Sequence, residues 1–169
     1  MKNLIFAFIV MLPLFGNAQG YLGYTLTEIK TFCSVKEFTV KYKDDEVKND
    51  VFETYNDNVQ LESRTNYKND KLDGLCEMWY PTGQLWSRVN YKNDERNGLR
   101  EMWYDNGQMM TRATYKNDKL DGLYESWYEN GQQESRVNFK NGNFDGLYES
   151  WNANGQLRES IMYKDGIKQ

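Results

Sequence analysis

Between residues 67 and 162 the order of apolar and polar positions repeats every 24 residues. Four copies align without a gap, at 67–90, 91–114, 115–138 and 139–162. Each copy holds two runs with the two-residue alternation of a half-buried strand. In the third copy the first run is Leu123-Tyr124-Glu125-Ser126-Trp127-Tyr128, and the second extends from Gln132 to Phe139. Polar turn residues separate them, so each copy predicts a β-hairpin. A worn copy at 43–66 keeps Glu53, Tyr55, Gln60, Leu61 and Arg64 in matching columns, with Asp50 and Val59 where the others have glycine. End repeats of an array are commonly atypical because they cap it.

The turn inside each hairpin reads PTG, DNG, ENG or ANG. A two-residue Asn-Gly turn would put Pro81 in a hydrogen-bonded pair that needs an N–H. A type I turn followed by a left-handed residue suits it better, with Gly83, Gly107, Gly131 and Gly155 in the left-handed place. This three-residue loop predicts Tyr128 opposite Gln132, Trp127 opposite Gln133, Glu125 opposite Ser135 and Leu123 opposite Val137. One face would collect Leu123, Glu125, Trp127, Val137 and Phe139. The other would hold Tyr124, Ser126, Tyr128, Gln132, Glu134, Arg136 and Asn138. The connection between hairpins, KNDKLDG and its variants, reads as a longer polar turn.

Hairpins stacked in this way predict an all-β fold: an elongated, single-layer antiparallel meander advancing about 10 Å per unit. Ahead of it, Glu37 to Tyr42 alternates as a strand should, while residues 27–32 suit a helix or a strand equally. The chain divides into a leader (1–18), an N-terminal capping segment (19–42) and the repeat domain (43–169). The leader has Lys2, an apolar run from Leu4 to Phe15, and small residues before Gln19. It reads as a signal peptide cleaved after Ala18, which predicts export to a periplasmic or extracellular location. The apolar run is shorter than the roughly 20 residues needed to span a bilayer.

Composition narrows the chemistry. Formal charge is −4, and more negative still once Lys2 leaves with the leader. Nucleic acid and anionic membrane surfaces are therefore not expected partners. There is no histidine, which removes the commonest general base and metal ligand. No metal or cofactor is expected. Cys33 and Cys76 are the two cysteines. An exported protein could join them in a disulfide, although the repeat does not require it, since Arg100, Tyr124 and Tyr148 share the Cys76 column.

Two columns stand out as candidate sites. Trp79, Trp103, Trp127 and Trp151 form a row of aromatic side chains able to hold the sheet together, receive a partner or stack on sugars. Glu77, Glu101, Glu125 and Glu149 form a parallel row, each between a Leu and a Trp on the apolar side. A charge there needs a partner. The expected ones are the hydroxyls of Ser87, Thr111 and Ser135, or backbone N–H groups of the adjacent turn. A catalytic carboxylate pair is not expected, because acid and base need different environments and these repeat identically. The Arg column (Arg64, Arg88, Arg112, Arg136) is assigned to the polar face. The turn aspartates lack the spacing of a calcium loop.

The pattern YKNDKLDGLYESWYENGQ resembles the MORN-repeat family, in particular its bacterial variant with an NGQL-like turn. That variant is often labelled an antitoxin component of a toxin–antitoxin system. The resemblance covers about residues 43–165. It implies hairpin repeats joined in a twisted sheet used for protein or membrane contact, and no catalytic residues. The resulting expectation is an exported, non-enzymatic scaffold for protein–protein interaction. The alternatives are an antitoxin or immunity-type protein that neutralises a toxin, and a carbohydrate binder using the Trp face.

Overall fold

The computed structural model describes residues 24–25, 31–32, 35–36, 38–44 and 49–169, with side chains from Asp50 onward. Every regular element among them is a strand. Phe38–Asp44, Asn49–Tyr55, Leu61–Lys68, Lys71–Trp79, Leu85–Lys92 and Glu95–Trp103 lie side by side in chain order. Met109–Lys116, Lys119–Trp127, Gln133–Lys140, Gly146–Trp151 and Leu157–Lys164 continue the series, each antiparallel to the last. Short strands at Tyr24–Thr25, Asn143–Phe144 and Ile167–Lys168 complete one 14-stranded sheet, and Thr31–Phe32 pairs separately with Val35–Lys36. This is the single-layer antiparallel meander expected from the 24-residue period. Of the ambiguous segment 27–32, Thr31–Phe32 is a strand. Residues 27–30, the leader and Cys33 lie outside the described residues.

The turns inside the hairpins are the three-residue loops the pattern predicts. Gly131 N–H donates to Tyr128 C=O at 2.8 Å, and Tyr128 N–H donates to Gln132 C=O at 2.9 Å. Gly131 has a φ of 82°, in the left-handed region where a Cβ is costly. Asn130 Oδ1 accepts from Gln132 N–H, while its Nδ2 donates to Ala153 C=O in the next unit's turn.

The connections between hairpins differ from expectation. KNDKLDG is not a long turn. Lys116 pairs with Lys119 around only two residues, Asn117 and Asp118, whose φ values are 48° and 62°. Both central residues left-handed is the type I′ geometry, and the equivalent Asn141-Gly142 and Asp165-Gly166 adopt it too. Asp118 N–H then donates to Arg96 C=O at 3.0 Å, so each tight turn docks on the unit before it. What was expected to be turn is the start of a nine-residue strand, Lys119–Trp127.

The register also departs from expectation, one residue past the loop. Trp127 does face Gln133, but a bulge follows, and Ser126 pairs with Ser135. Glu125 therefore faces Arg136 rather than Ser135, Tyr124 faces Val137, and Leu123 faces Asn138. The same bulge recurs in every unit. A one-residue offset moves the whole return strand to the opposite face. Val137 and Phe139 consequently lie with Tyr124 and Ser126, away from the Trp row, and the Arg column lies with Glu and Trp, not on the polar face.

The buried apolar residues, Val89, Ala113 and Val137, belong to the Tyr124 face, together with buried Ser87, Ser126 and Ser150. Rings continue this layer toward the C-terminal end. Tyr124 meets Phe139 edge-on, Phe139 meets Phe144, and Phe144 stacks on Tyr148. Among the described residues no large side chain is fully buried. A sheet this thin is stabilised chiefly by cross-strand pairs and by each unit's contacts with its neighbours.

Candidate functional site

Leu75, Glu77 and Trp79 alternate along one strand and therefore share a face, as do their counterparts in the later units. Cross-strand pairing sets an Arg beside every Glu. Across the sheet the residues in register run Glu53, Arg64, Glu77, Arg88, Glu101, Arg112, Glu125, Arg136, Glu149. The sign of the charge alternates at each step. Val40 stands next in the row before Glu53, and Ser160 after Glu149.

Each arginine turns back to the Glu of the strand before it. The Nε–Oε1 distances are 2.7 Å for Arg64–Glu53, 3.0 Å for Arg88–Glu77, 3.8 Å for Arg112–Glu101 and 4.0 Å for Arg136–Glu125. The first two are hydrogen-bonded ion pairs; the last two are looser. The glutamate side chains are 7–17% exposed and the arginines 42–54%, so the carboxylates lie beneath a cover of guanidinium groups. The side-chain hydrogen bond to Glu53 raises the Arg64 pKa above its ordinary value. Tyr55 O–H adds a bond to Glu53 at 2.7 Å. Glu53 and Glu77 are thus hydrogen-bonded to arginine rather than to the Ser and Thr hydroxyls expected, while Glu101 and Glu125 have an arginine only at looser range.

The tryptophans join this arrangement. The Arg64 guanidinium lies 5.8 Å from the Trp79 ring centroid and that of Arg88 lies 5.9 Å from Trp103, within cation–π range. All four tryptophans are half-buried. Their carbonyls bind successive units together: Tyr80, Tyr104 and Tyr128 O–H donate to Trp103, Trp127 and Trp151 C=O at 3.0, 2.8 and 2.9 Å. The pKa values of Tyr80 and Tyr104 are raised, primarily by desolvation.

The Trp and Glu candidates are therefore brought together, with the Arg column as the partner that sequence reasoning placed on the wrong face. Its signal was present: an Arg column as regular as the Glu column invites opposite-charge pairing across strands. Among the described residues Cys76 has no disulfide partner, and its sulfur lies 3.5 Å from Thr65 Oγ1. Among the described residues no group of three or more His, Cys, Asp or Glu is placed to hold a metal.

Stacked hairpins in one open sheet, tied unit to unit by side chains, define an all-β repeat protein. The model of the MORN repeat variant matches four successive segments, at residues 72–93, 96–117, 120–141 and 144–165, just over half of the chain. The chain belongs to this MORN repeat family. MORN repeats are in general protein- or membrane-interaction repeats, and the family is generally non-enzymatic. No curated protein matches the chain.

Proposed function

We propose that this is an exported, non-enzymatic protein that serves as a scaffold for protein–protein interaction through the Trp–Arg–Glu face. One observation carries the reading. Half-buried Trp and half-exposed Arg recur together on a face that no other element covers among the described residues, and Leu75 and Leu147 are exposed beside them. Trp and Arg are the residues most enriched among binding hot spots, and an apolar patch with paired charges is what a protein partner can desolvate. Neutralisation of a toxin would be a narrower instance of the same contact. Sugar stacking on this face is less favoured, because Arg64 and Arg88 already occupy one side of the Trp79 and Trp103 rings.

The test uses residues 19–169 as bait on envelope and secreted fractions, alongside Trp103→Ala with Arg112→Ala and a control, Trp86→Ala. Trp86 lies in the column of Glu134, on the other face. A partner retained by the control and lost by the double variant, with both variants folded, supports the reading. A partner held equally by all three proteins rejects this face.

A further inference from the structure

We propose a saccharide-binding cleft on the face opposite the tryptophans, between the third and fourth units. An open cleft of about 570 Å³ lies there, within the range of small-molecule sites. Tyr128 and Trp151 contribute to its walls, and the rest come from four columns in which the repeats supply their own control. Where the first two units have Met78 and Met102, the cleft has Ser126 and Ser150; where they have Cys76 and Arg100, it has Tyr124 and Tyr148. Trp86 and Met110 give way to Glu134 and Arg158, and the small hydroxyls of Ser87, Thr111 and Ser135 to Glu159. The sheet accepts Met and Trp in these columns, so the fold does not demand the polar set. Exchanging Met for Ser on this thin layer also forfeits apolar burial.

The cleft is held in shape. Ser126 Oγ donates to Glu134 Oε2 at 3.0 Å and lies 2.8 Å from Ser135 Oγ, which fixes the carboxylate. Tyr128 is anchored by its bond to Trp151 C=O, and Tyr148 is clasped between Phe144 and Tyr163. Other groups are unspent. Among the described residues, Arg158 and Glu159 have no ion-pair partner, and the Tyr124 and Tyr148 hydroxyls make no hydrogen bond.

Carboxylates and a guanidinium in one cleft offer strong acceptors and donors side by side. A neutral ligand carrying both donors and acceptors fits. A pyranose offers its hydroxyls to Glu159, Arg158 and the Tyr O–H groups, and its C–H face to a tyrosine ring. The ligand class is therefore a neutral hexose or N-acetylhexosamine, free or as the end of a chain.

The test is NMR titration of the protein with glucose, galactose, mannose, N-acetylglucosamine, cellobiose and lactose. At least one sugar should shift resonances of Tyr124, Ser150 and Arg158 saturably. Ser150→Met, which copies Met102, and Arg158→Ala should each weaken that binding about tenfold or more with melting unchanged, equivalent to about 1.4 kcal/mol. Tighter binding of the disaccharides would mark a glycan end, and equal binding a free sugar. Silence toward all six overturns the proposal, as does binding that survives both substitutions. Protection of the cleft by a protein partner alone also overturns it.

Discussion

Glu77 and Arg88 face each other across adjacent strands with 3.0 Å between Oε1 and Nε, while the equivalent Glu125 and Arg136 stand 4.0 Å apart. The repeat is thus identical in residue type but graded in contact. A double-mutant cycle with Glu77→Gln and Arg88→Met should give a coupling of about 1 kcal/mol, since the pair is half-screened by an exposed arginine. The same cycle at Glu125 and Arg136 should give less than about 0.5 kcal/mol. Urea denaturation measures both, and equal couplings would contradict the gradient.

Arg88→Ala alone should cost more than the coupling energy, about 1–3 kcal/mol, because the buried Glu77 keeps its charge and loses its nearest donor. Arg64, 4.0 Å from Glu77, offsets only part of that loss. Adding Glu77→Gln to Arg88→Ala should recover stability. A further loss instead would mean that Glu77 depends on some other contact.

Gly131→Val should lower stability by about 1–2 kcal/mol through its left-handed φ. A Cβ there would also come within 2.8 Å of Gln108 Oε1, whereas at Gly83 nothing lies within 4 Å. Gln108 can swing aside, so the excess over Gly83→Val stays below about 1 kcal/mol. The worn unit already tolerates Val59 at φ 61°, which shows that the strain is bearable. Thermal melting that leaves both variants at the wild-type temperature would refute the turn's energetic role.

Tyr104→Phe removes one inter-unit bond, the 2.8 Å contact to Trp127 C=O, and should cost about 1 kcal/mol. Hydrogen exchange should quicken where the second and third units meet, with the outer hairpins little changed. Uniform acceleration through the sheet would instead show that the units open together.

Stability should be level from the ordinary carboxylate range to about pH 10, then fall on both sides. Burial raises the pKa values of Tyr80, Tyr91, Tyr104 and Tyr124 above the ordinary 10.0. The unfolded chain then releases these protons first. Their contribution is complete below pH 10 and is lost as pH rises through the folded values. On the acid side, the hydrogen bond from Arg96 lowers the Asp118 pKa below its ordinary 3.8. That contribution is complete above 3.8 and lost as pH falls through the folded value. Melting temperatures across pH check both limbs, and Tyr80→Phe with Tyr104→Phe should flatten the alkaline one.

The strands, their order and the Gly-terminated loops were legible because each rests on local chemistry: alternation, a Pro in the first turn position, a Gly in the left-handed one. What was not legible came from the single bulged residue, Glu134, between Gln133 and Ser135. Either register gathers an apolar face, Leu123 and Trp127 with Val137 or Tyr124 with Val137, so hydrophobic segregation does not choose between them. Charge does: only the bulged register sets Glu125 beside Arg136. The tight connections were misread as long turns, although Asn141-Gly142 and Asp165-Gly166 carry the two-residue turn signal, because Asn117-Asp118 and its like put less diagnostic residues in the same place. The polar cleft was invisible to a reading built on what the units share, since most of its walls are places where the last two depart from the first two.

The alternating row of Glu and Arg bears on how such a chain can change over time. Each rung needs only its immediate neighbours, and each of the first three full copies carries one Glu and one Arg of the row in order, the last having Ser160 in the Arg column. Duplicating such a copy within the array would lengthen the sheet by two strands without mispairing any charge, whereas losing half a copy would set like charges side by side. Whole-unit gain and loss is therefore the low-cost way to vary the extent of the face. Half-unit slips are discouraged by electrostatics before packing is tested.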